Sequence, residues 1–277
     1  QALAQIEQQW TRWWHTARPL TAEWLAGYVE REGSKDLPPG EMDGDPEKPP
    51  DARDVQREGL VRLAEARDQG RKRALVVMAT GLGKTWLAAF DVRAFCADAP
   101  GARVLVVAHR VELLRQAAST FRRMFPSWTP SWFAGGLNGR NGRLVLASVQ
   151  KLSRREVLET FAPDAFDYIV MDEVHHADAS SYQAIIDWFE PAFLLGLTAT
   201  PERGDGVSVV RHFDDRVTFE AGLDRGMESG ALVPFHYFGV RDTVDYAPIP
   251  WRNHRFDPAL LAAAVETGAR MEQLWKA

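Results

Sequence analysis

The stretch Met78-Ala79-Thr80-Gly81-Leu82-Gly83-Lys84-Thr85 decides the fold of this chain. It follows the apolar run Ala74-Leu75-Val76-Val77 and precedes a helical pattern from Trp86 to Phe90. A buried strand, a glycine loop and a helix in this order form the phosphate-binding P-loop. The general pattern has glycine where Met78 stands, but the strand, loop and helix that confirm the motif are all present.

Each residue type in the loop has a chemical role. Gly81 and Gly83 let backbone N–H groups curl around an anion, and Lys84 reaches the β- and γ-phosphates. Thr85 offers its hydroxyl to Mg²⁺. The alternative is a simple glycine turn between a strand and a helix. The residues predicted to bind a nucleotide here are Thr80, Gly81, Leu82, Gly83, Lys84 and Thr85.

Composition is that of an ordinary globular protein of one large or two modest domains. The chain has 277 residues, of which 45% are hydrophobic and 26% charged. No apolar run is long enough to span a bilayer and no signal peptide is visible, which predicts a cytoplasmic protein. Cys96 is predicted to be a small buried hydrophobe. The net charge of -5 does not exclude a groove of local positive potential for nucleic acid.

The chain divides into four predicted parts. Residues 1–33 carry tryptophans at spacings that fit one or two amphipathic helices, and residues 34–52 are a linker rich in proline and acids. Residues 53–240 form the main domain, and residues 241–277 form a second linker and a helix over Ala259–Trp275. Because the chain begins at Gln1, we expect it to belong to something longer.

Strands alternate with helices throughout the main domain. Apolar runs at 104–108, 144–147, 166–171 and 193–197 are separated by helical patterns. This alternation predicts a mostly parallel, doubly wound α/β sheet, whose ligands lie at the carboxyl ends of the strands. A last strand is predicted over 232–240, and the polar run Arg252–Arg255 is predicted to be linker.

Polar clusters follow four of these strands. Asp172 and Glu173 close one strand, where a P-loop ATPase needs one carboxylate for Mg²⁺ and a second that polarises the attacking water. The pair His175-His176 lacks further ligands at zinc spacing, so a hydrogen bond from it towards Thr198 and Thr200 is the preferred interpretation. The remaining clusters are His109-Arg110 and Ser148-Val149-Gln150.

Together these segments resemble the superfamily 2 helicases of the DEAD/DEAH-like group. Motifs I, Ia, Ib, II and III of that family are similar to residues 79–85, 109–110, 148–150, 172–175 and 198–200, in order. The resemblance covers about Arg53 to Val240 and implies a RecA-like P-loop domain that couples ATP hydrolysis to movement on nucleic acid. Arg53 and Gln56 match the family's glutamine motif, which reads adenine, although Val55 replaces the usual aromatic.

The resemblance also assigns roles to the other motif residues. It implies nucleic-acid backbone contacts for His109, Arg110, Ser148 and Gln150, groups that hold phosphates without reading bases. It implies that His175, Thr198 and Thr200 couple hydrolysis to strand binding. The competing interpretation of Arg110 is a solvated helix face.

More narrowly, the chain is similar to bacterial helicases in which a phospholipase-D-like nuclease domain precedes the motor. The nuclease signature His-x-Lys is absent from this sequence, so nuclease activity is not assigned to it. The arginine-rich motif VI, Gln-x-x-Gly-Arg-x-x-Arg, is also absent. In the family that motif belongs to a second RecA-like domain, which is therefore the expected partner within the same protein.

The sequence thus predicts the ATP-binding domain of a nucleic-acid-dependent ATPase, with DNA preferred to RNA as its nucleic acid and with ATP and Mg²⁺ as cofactors. Its predicted catalytic residues are Lys84, Asp172 and Glu173, with Thr85 and Asp172 as metal ligands. Two alternatives stay open: an RNA-directed helicase, and an ATP-dependent switch or scaffold that unwinds nothing.

Overall fold

The computed structural model describes residues 48–174, 179–200, 209–233, 244–252, 255–268 and 270. Nearly all of them belong to one compact unit, formed by residues 45–134 and 138–277, and the fold below is that of this unit. The predicted helical segment 1–33 and most of the first predicted linker lie outside the described residues.

Helices and strands alternate along the described chain. In order, the elements are α1 (Asp54–Asp68), β1 (Arg73–Met78), α2 (Lys84–Asp98), β2 (Val104–Ala108), α3 (Val111–Met124), β3 (Ser131–Phe133), β4 (Leu144–Ser148), α4 (Val149–Leu152), α5 (Arg155–Leu158), β5 (Tyr168–Met171), α6 (Ala179–Trp188), β6 (Phe193–Thr198), a 3₁₀ turn (Val209–His212), β7 (Phe219–Ala221), α7 (Leu223–Glu228), β8 (Trp251–Arg252), β9 (Arg255–Phe256) and α8 (Pro258–Val265).

The strands of the main sheet are all parallel. Within the described ranges the sheet has seven strands in the order β3-β4-β2-β5-β6-β1-β7. Every residue of β2, β4, β5 and β6 is buried, as parallel sheets with helices on their faces require. The α/β class with a parallel, doubly wound sheet is therefore confirmed.

The hydrophobic core lies between the sheet and the helices that connect its strands. Helix α3 shows how the sequence directs this packing, because its buried residues Leu114, Ala117, Phe121 and Met124 recur at helical spacing. On another part of the core, aromatic rings of Phe161, Phe166 and Phe189 pack edge-on between α6 and the sheet. The motifs lie at the ends of these buried strands.

Two short strand pairs differ from the sequence prediction. Strand β3 has only three residues, Ser131-Trp132-Phe133, too few for a periodic signal, and pairs with β4 at the sheet edge. The run Arg252–Arg255, predicted to be linker, instead contributes to the antiparallel pair β8 and β9. Packing of the Phe256 ring edge-on against Trp251 accompanies this pairing.

Element boundaries shift where local hydrogen bonding decides them. The strand predicted over 166–171 begins at Tyr168, and the last helix begins at Pro258. Asp257 caps that helix, with its carboxylate accepting from the backbone N–H groups of Ala259 and Leu260 at 3.0 and 3.1 Å. Residues 232 and 233 of the strand predicted over 232–240 are not in a strand, and its remainder and the end of the last predicted helix lie outside the described residues.

Among the described residues, no helix is both long and apolar enough to cross a lipid bilayer.

Candidate functional site

The P-loop lies between β1 and α2, as the sequence predicts. Gly81 and Gly83 have φ angles of +90° and +81°, a left-handed conformation that favours glycine. A Cβ atom at Gly83 would lie 2.5 Å from Nε2 of Gln56, so a side chain there would have to displace the Gln56 amide. The loop leads directly into the first turn of a fifteen-residue helix, whose N–H groups and dipole favour an anion.

Lys84 is buried at the base of this loop. Its ammonium donates to the backbone carbonyl of Met78 at 3.2 Å and lies 3.5 Å from Oε1 of Glu173. Thr80 is exposed and Thr85 is half-buried. The structure therefore brings the P-loop lysine together with the second acid of the Asp172-Glu173 pair.

Asp172 and Glu173 follow β5 and stay tied to the sheet on both sides. The backbone N–H of Asp172 donates to Val107 in β2 at 2.9 Å, and that of Val174 donates to Leu197 in β6 at 3.1 Å. Glu173 has a φ of +49°, which is uncommon for a residue with a side chain and indicates a backbone held by its surroundings.

The Asp172 carboxyl group is buried, with 6% of the residue exposed. Burial, and then the neighbouring Glu173 carboxylate, raises its pKa from 3.8 to about 6. The charge of Lys84 and a hydrogen bond from the backbone N–H of Glu173, 3.0 Å long, act in the opposite direction. The structure thus holds two carboxyl groups close together in a buried position, which disfavours the ionised form of Asp172.

Tyr182 supports this acid pair from α6. Its hydroxyl donates to the backbone carbonyl of Asp172 at 2.8 Å. Burial and the charges of both acids raise the pKa of Tyr182, so the hydroxyl remains a donor. Sequence reasoning missed this residue, because a tyrosine in a helical pattern carries no signal for a contact with a distant strand end.

Gln56 is the buried link between α1 and the P-loop. Its side-chain Nε2 donates to the backbone carbonyls of Leu82 at 3.2 Å and Gly83 at 3.1 Å. Its Oε1 accepts from the backbone N–H of Arg53 at 2.9 Å, and Nη1 of Arg53 lies 3.4 Å from the carbonyl oxygen of Gly81. The predicted glutamine-motif residues therefore hold the outer side of the loop.

The ends of β2 and β4 meet at the residues predicted to contact nucleic acid. Ala108 pairs with Ser148 across the two strands, and the Gln150 side chain donates to the backbone carbonyl of His109 at 2.7 Å. Arg110 and Gln150 are exposed, whereas Ser148 is buried. Of these groups, Arg110 and Gln150 are the ones placed to meet a large ligand.

Thr198 ends β6 with its side chain fully buried. Its hydroxyl donates to the backbone carbonyl of Thr200 at 2.6 Å and accepts from the backbone N–H of Thr200 at 3.2 Å. The hydroxyl thus closes the turn that leaves the sheet between β5 and β1. His175 lies outside the described residues, so its predicted link to this turn stays a prediction.

The motifs follow one another across the carboxyl edge of the sheet. The strand order β4, β2, β5, β6, β1 places motif Ib beside Ia, then II, III and the P-loop. The register pairs Val107 with Met171, Met171 with Gly196, and Val77 with Thr198, so these strand ends are level. Segments scattered from 79 to 200 in the chain therefore form one continuous edge.

The oxygen groups at this edge fit Mg²⁺ better than a softer metal. Mg²⁺ usually binds through one or two carboxylates together with waters and substrate phosphates, and Asp172 and the Thr85 hydroxyl are groups of that kind. In the described ranges, no three or more His, Cys, Asp or Glu side chains are grouped so that they could hold a metal ion by themselves.

Comparison with known proteins decides the family. The sequence model described as the type III restriction enzyme, res subunit, matches residues 50–203. This chain belongs to that family. The match confirms that the motifs belong to a superfamily 2 helicase domain of the DEAD/DEAH-like group, while the upstream nuclease domain stays a prediction.

Individual relatives agree with this assignment. The chain is 32% identical to a type I restriction enzyme EcoAI endonuclease subunit of Escherichia coli, over 71% of this chain and 25% of that protein. It is 30% identical to the ATP-dependent RNA helicase DHX58 of Mus musculus, over 55% of this chain and 26% of that protein.

A solved structure supports the fold. The type ISP restriction-modification enzyme LlaGI, solved as a nuclease-deletion mutant with a DNA substrate mimic, superposes with a TM-score of 0.54. Its sequence is 19% identical, and the alignment covers 66% of this chain and 21% of that one. The chain therefore spans about a quarter of the length of these three proteins.

Proposed function

We propose that this chain is the ATP-binding domain of a motor that couples ATP hydrolysis to movement on DNA. The observation that carries the proposal is the order of the motifs along the sheet edge. The P-loop lies at one side of that edge, the two acids lie between, and the exposed Arg110 and Gln150 lie beyond them. One face can thus contact the phosphates of a nucleotide and, a few strands away, the phosphates of a polynucleotide.

The ATP site would work through positioning and charge. Lys84 would contact the β- and γ-phosphates, and the N–H groups at the start of α2 would hold their oxygens. Thr85 and Asp172 would hold Mg²⁺, which would neutralise the charge that develops on the phosphates. Glu173, one residue beyond the metal ligand, would orient and polarise the attacking water.

Coupling would run through the strand ends between the two sites. Val174 is hydrogen-bonded to Leu197 in β6, and Thr198 closes the turn that follows. A movement of Asp172 or Glu173 would therefore shift the Thr198 turn, because a backbone hydrogen bond joins the two segments. We include His175 and Thr200 in this coupling group on the strength of the family motifs.

Nucleic acid would be held at the ends of β2 and β4. The guanidinium of Arg110 and the amide of Gln150 would contact phosphates, with His109 and Ser148 supporting the same edge. Such contacts fix position without reading sequence, which a translocating motor requires.

Three features of the proposal go beyond this chain. We propose DNA as the substrate because the family model and the EcoAI relative are restriction enzymes; similarity to DHX58 favours RNA as the second candidate. A second RecA-like domain would supply the arginine that motif VI carries, worth roughly 10³-fold or more in rate. The cytoplasmic location stays a prediction.

The test is ATP hydrolysis by the intact protein without nucleic acid, with DNA and with RNA of the same sequence. We expect stimulation by DNA that Glu173→Gln abolishes, whereas Glu156→Gln, a change at an exposed glutamate of α5, keeps it. Stronger stimulation by RNA would favour the RNA helicase. A rate indifferent to both polymers would favour a switch or scaffold and overturn the motor.

A further inference from the structure

A cavity of about 500 Å³ lies between α1, α2 and residues 49–52, the segment that precedes α1. Its volume falls within the range of roughly 300–1,000 Å³ that is common for small-molecule sites. Among the described residues that line it, none belongs to the P-loop or to the other motifs. The cavity is therefore separate from the candidate site at the carboxyl edge of the sheet.

Matching faces of the two helices form two walls of the cavity. The lining residues of each helix recur at positions i, i+4 and i+7, which places them on one face. They are Leu60, Ala64 and Arg67 in α1 and Phe90, Ala94 and Ala97 in α2. Because three of these six residues are alanines, the helices leave between them the space that longer apolar side chains would fill.

Residues 49–52 form the third wall and are held at both ends. The carbonyl of Lys48 accepts from Nη2 of Arg123 at 3.0 Å, and the carbonyl of Ala52 accepts from Nη1 of Arg57. Two of the four residues are prolines, whose rings fix the backbone φ angle. Contacts within the protein therefore order this wall.

A buried carboxylate lines the cavity and uses only one of its two oxygens. Asp91 is 1% exposed, and its Oδ2 accepts from Nη1 of Arg67 at 2.6 Å and from the hydroxyl of Tyr168 at 2.5 Å. Its Oδ1 has no hydrogen-bond partner among the described residues. A buried acceptor without a partner costs free energy, which a donor inside the cavity would recover.

The charges around the cavity balance. Arg67 neutralises Asp91 through their ion pair, and Asp51 and Arg93, which also line the cavity, carry opposite charges. The rest of the lining is apolar, with the Phe90 ring as its largest side chain. Since neither sign of charge is in excess, these walls favour a ligand that is neutral and mainly apolar.

We infer that this cavity binds a neutral small molecule that combines an aromatic or aliphatic body with one N–H or O–H donor. The donor would bind Oδ1 of Asp91, and the body would pack against Leu60, Ala94 and the Phe90 ring. The inference goes beyond the proposed function, because the cavity residues take no part in the ATP or nucleic-acid contacts proposed above. It gives the buried Asp91, which lies outside the motifs, a role in recognition.

Indole and N-methylindole test this assignment, because they share an aromatic body and only indole has an N–H donor. Each is titrated into the isotope-labelled 277-residue chain and followed by NMR. We expect indole to shift amide signals of α1 and α2 to saturation, with a dissociation constant on the order of 1 mM, as suits a ligand of this size. Binding of N-methylindole should be about tenfold weaker, the effect of losing one hydrogen bond to a carboxylate.

A larger side chain in the wall tests the location of the ligand. Ala94→Trp fills the cavity from α2 and should weaken indole binding by about tenfold or more. The matched control is Ala263→Trp, at an exposed alanine of α8, which should leave indole binding unchanged. Ala64→Trp, from the opposite wall, replaces Ala94→Trp if that variant does not fold. Undiminished indole binding with the cavity filled would overturn the inference, as would the absence of saturable indole binding to the wild type.

Asp91→Asn tests the donor contact separately. The amide oxygen can still accept from Arg67 and Tyr168, which leaves the amide N–H₂ group where Oδ1 lies in the wild type. Indole should then lose its advantage over N-methylindole. Equal affinities of the two probes for the wild type, or a preference for indole that survives in Asp91→Asn, would contradict recognition of the donor by Asp91.

Discussion

The ammonium of Lys84 and the carboxylate of Glu173 form an ion pair between the P-loop and the end of β5, with Nζ 3.5 Å from Oε1. Both side chains are largely buried. The phosphates of a nucleotide would compete with Glu173 for the same ammonium. Nucleotide binding at this site would therefore free Glu173 from Lys84, so that its carboxylate can orient the attacking water as the proposed mechanism requires.

This exchange separates binding from hydrolysis. Glu173→Gln removes the competing charge, so ATP affinity should be maintained or rise while hydrolysis is lost. Lys84→Ala should lower ATP affinity by about 10- to 100-fold, since a charge-assisted hydrogen bond contributes about 1.5–3 kcal/mol. Titration with ATP and single-turnover hydrolysis measure the two effects. Loss of ATP binding in Glu173→Gln would show that the ion pair organises the site and does not compete with phosphate.

The raised pKa of Asp172 predicts a stability that depends on pH. The protonated form favours the folded state, so this stabilisation is fully present below pH 4 and is lost as the pH rises through about 6. At pH 8 the ionised carboxylate lowers the free energy of unfolding by about 3 kcal/mol relative to the protonated form. Asp172→Asn should therefore raise the free energy of unfolding of the nucleotide-free chain at pH 8.

Denaturant unfolding at pH 4 and pH 8 measures that difference. The advantage of Asp172→Asn should disappear at pH 4, where wild type is protonated. Asp164→Asn, at an exposed aspartate, serves as the matched control and should change little at either pH. An advantage of the same size at both pH values would assign the effect to packing and contradict the electrostatic explanation.

Gln56 is predicted to support the phosphate loop itself. Gln56→Ala removes the donors to Leu82 and Gly83 and should cost about 1–2 kcal/mol of stability. It should weaken the binding of ATP and of tripolyphosphate, which has the phosphates and no base, to the same extent. Gln69→Ala, at the exposed residue that follows the last turn of α1, is the control for loss of a glutamine. A selective loss of ATP in Gln56→Ala would instead indicate that its main contact is with the base.

Arg110 is predicted to contact a nucleic-acid phosphate. Arg110→Gln should weaken DNA binding and reduce the slope of log affinity against log salt by about 0.7–0.9, the value for one released counterion. Fluorescence anisotropy over a range of salt concentrations measures this slope. Arg62→Gln, on an exposed face of α1 where Arg62 pairs with Glu65, should leave it unchanged. If both variants behave alike, Arg110 belongs to a solvated helix face.

The Thr198 hydroxyl is predicted to transmit the state of the ATP site. Thr198→Val keeps the side-chain shape but breaks both hydrogen bonds to Thr200, so stimulation of ATP hydrolysis by DNA should fall while the basal rate is kept. Stability should drop by about 1 kcal/mol. Thr218→Val is the matched control, because the buried Thr218 hydroxyl has no hydrogen-bond partner among the described residues. Equal DNA stimulation in both variants would remove Thr198 from the coupling group.

Strong local patterns made the P-loop and the Asp172-Glu173 pair recognisable in the sequence. A glycine loop between an apolar run and a helix, and two acids after another apolar run, depend on residues adjacent in the chain. Weak or non-local signals were missed: β3 is three residues long, and the contacts of Tyr182 and Leu232 join segments far apart in sequence. The predicted domain boundaries stay predictions.

By itself, the sequence determined the α/β class, the P-loop and the order of the motifs along the chain, because each depends on local periodicity and on residue types at fixed spacing. Only the tertiary structure decided that β5 and β6 separate β2 from β1, which lays the motifs along one edge. It alone packed Leu232 against Gly81 and paired Lys84 with Glu173. The physical reason is that strand order and packing between distant segments follow from burying the whole core at once, which no local pattern specifies.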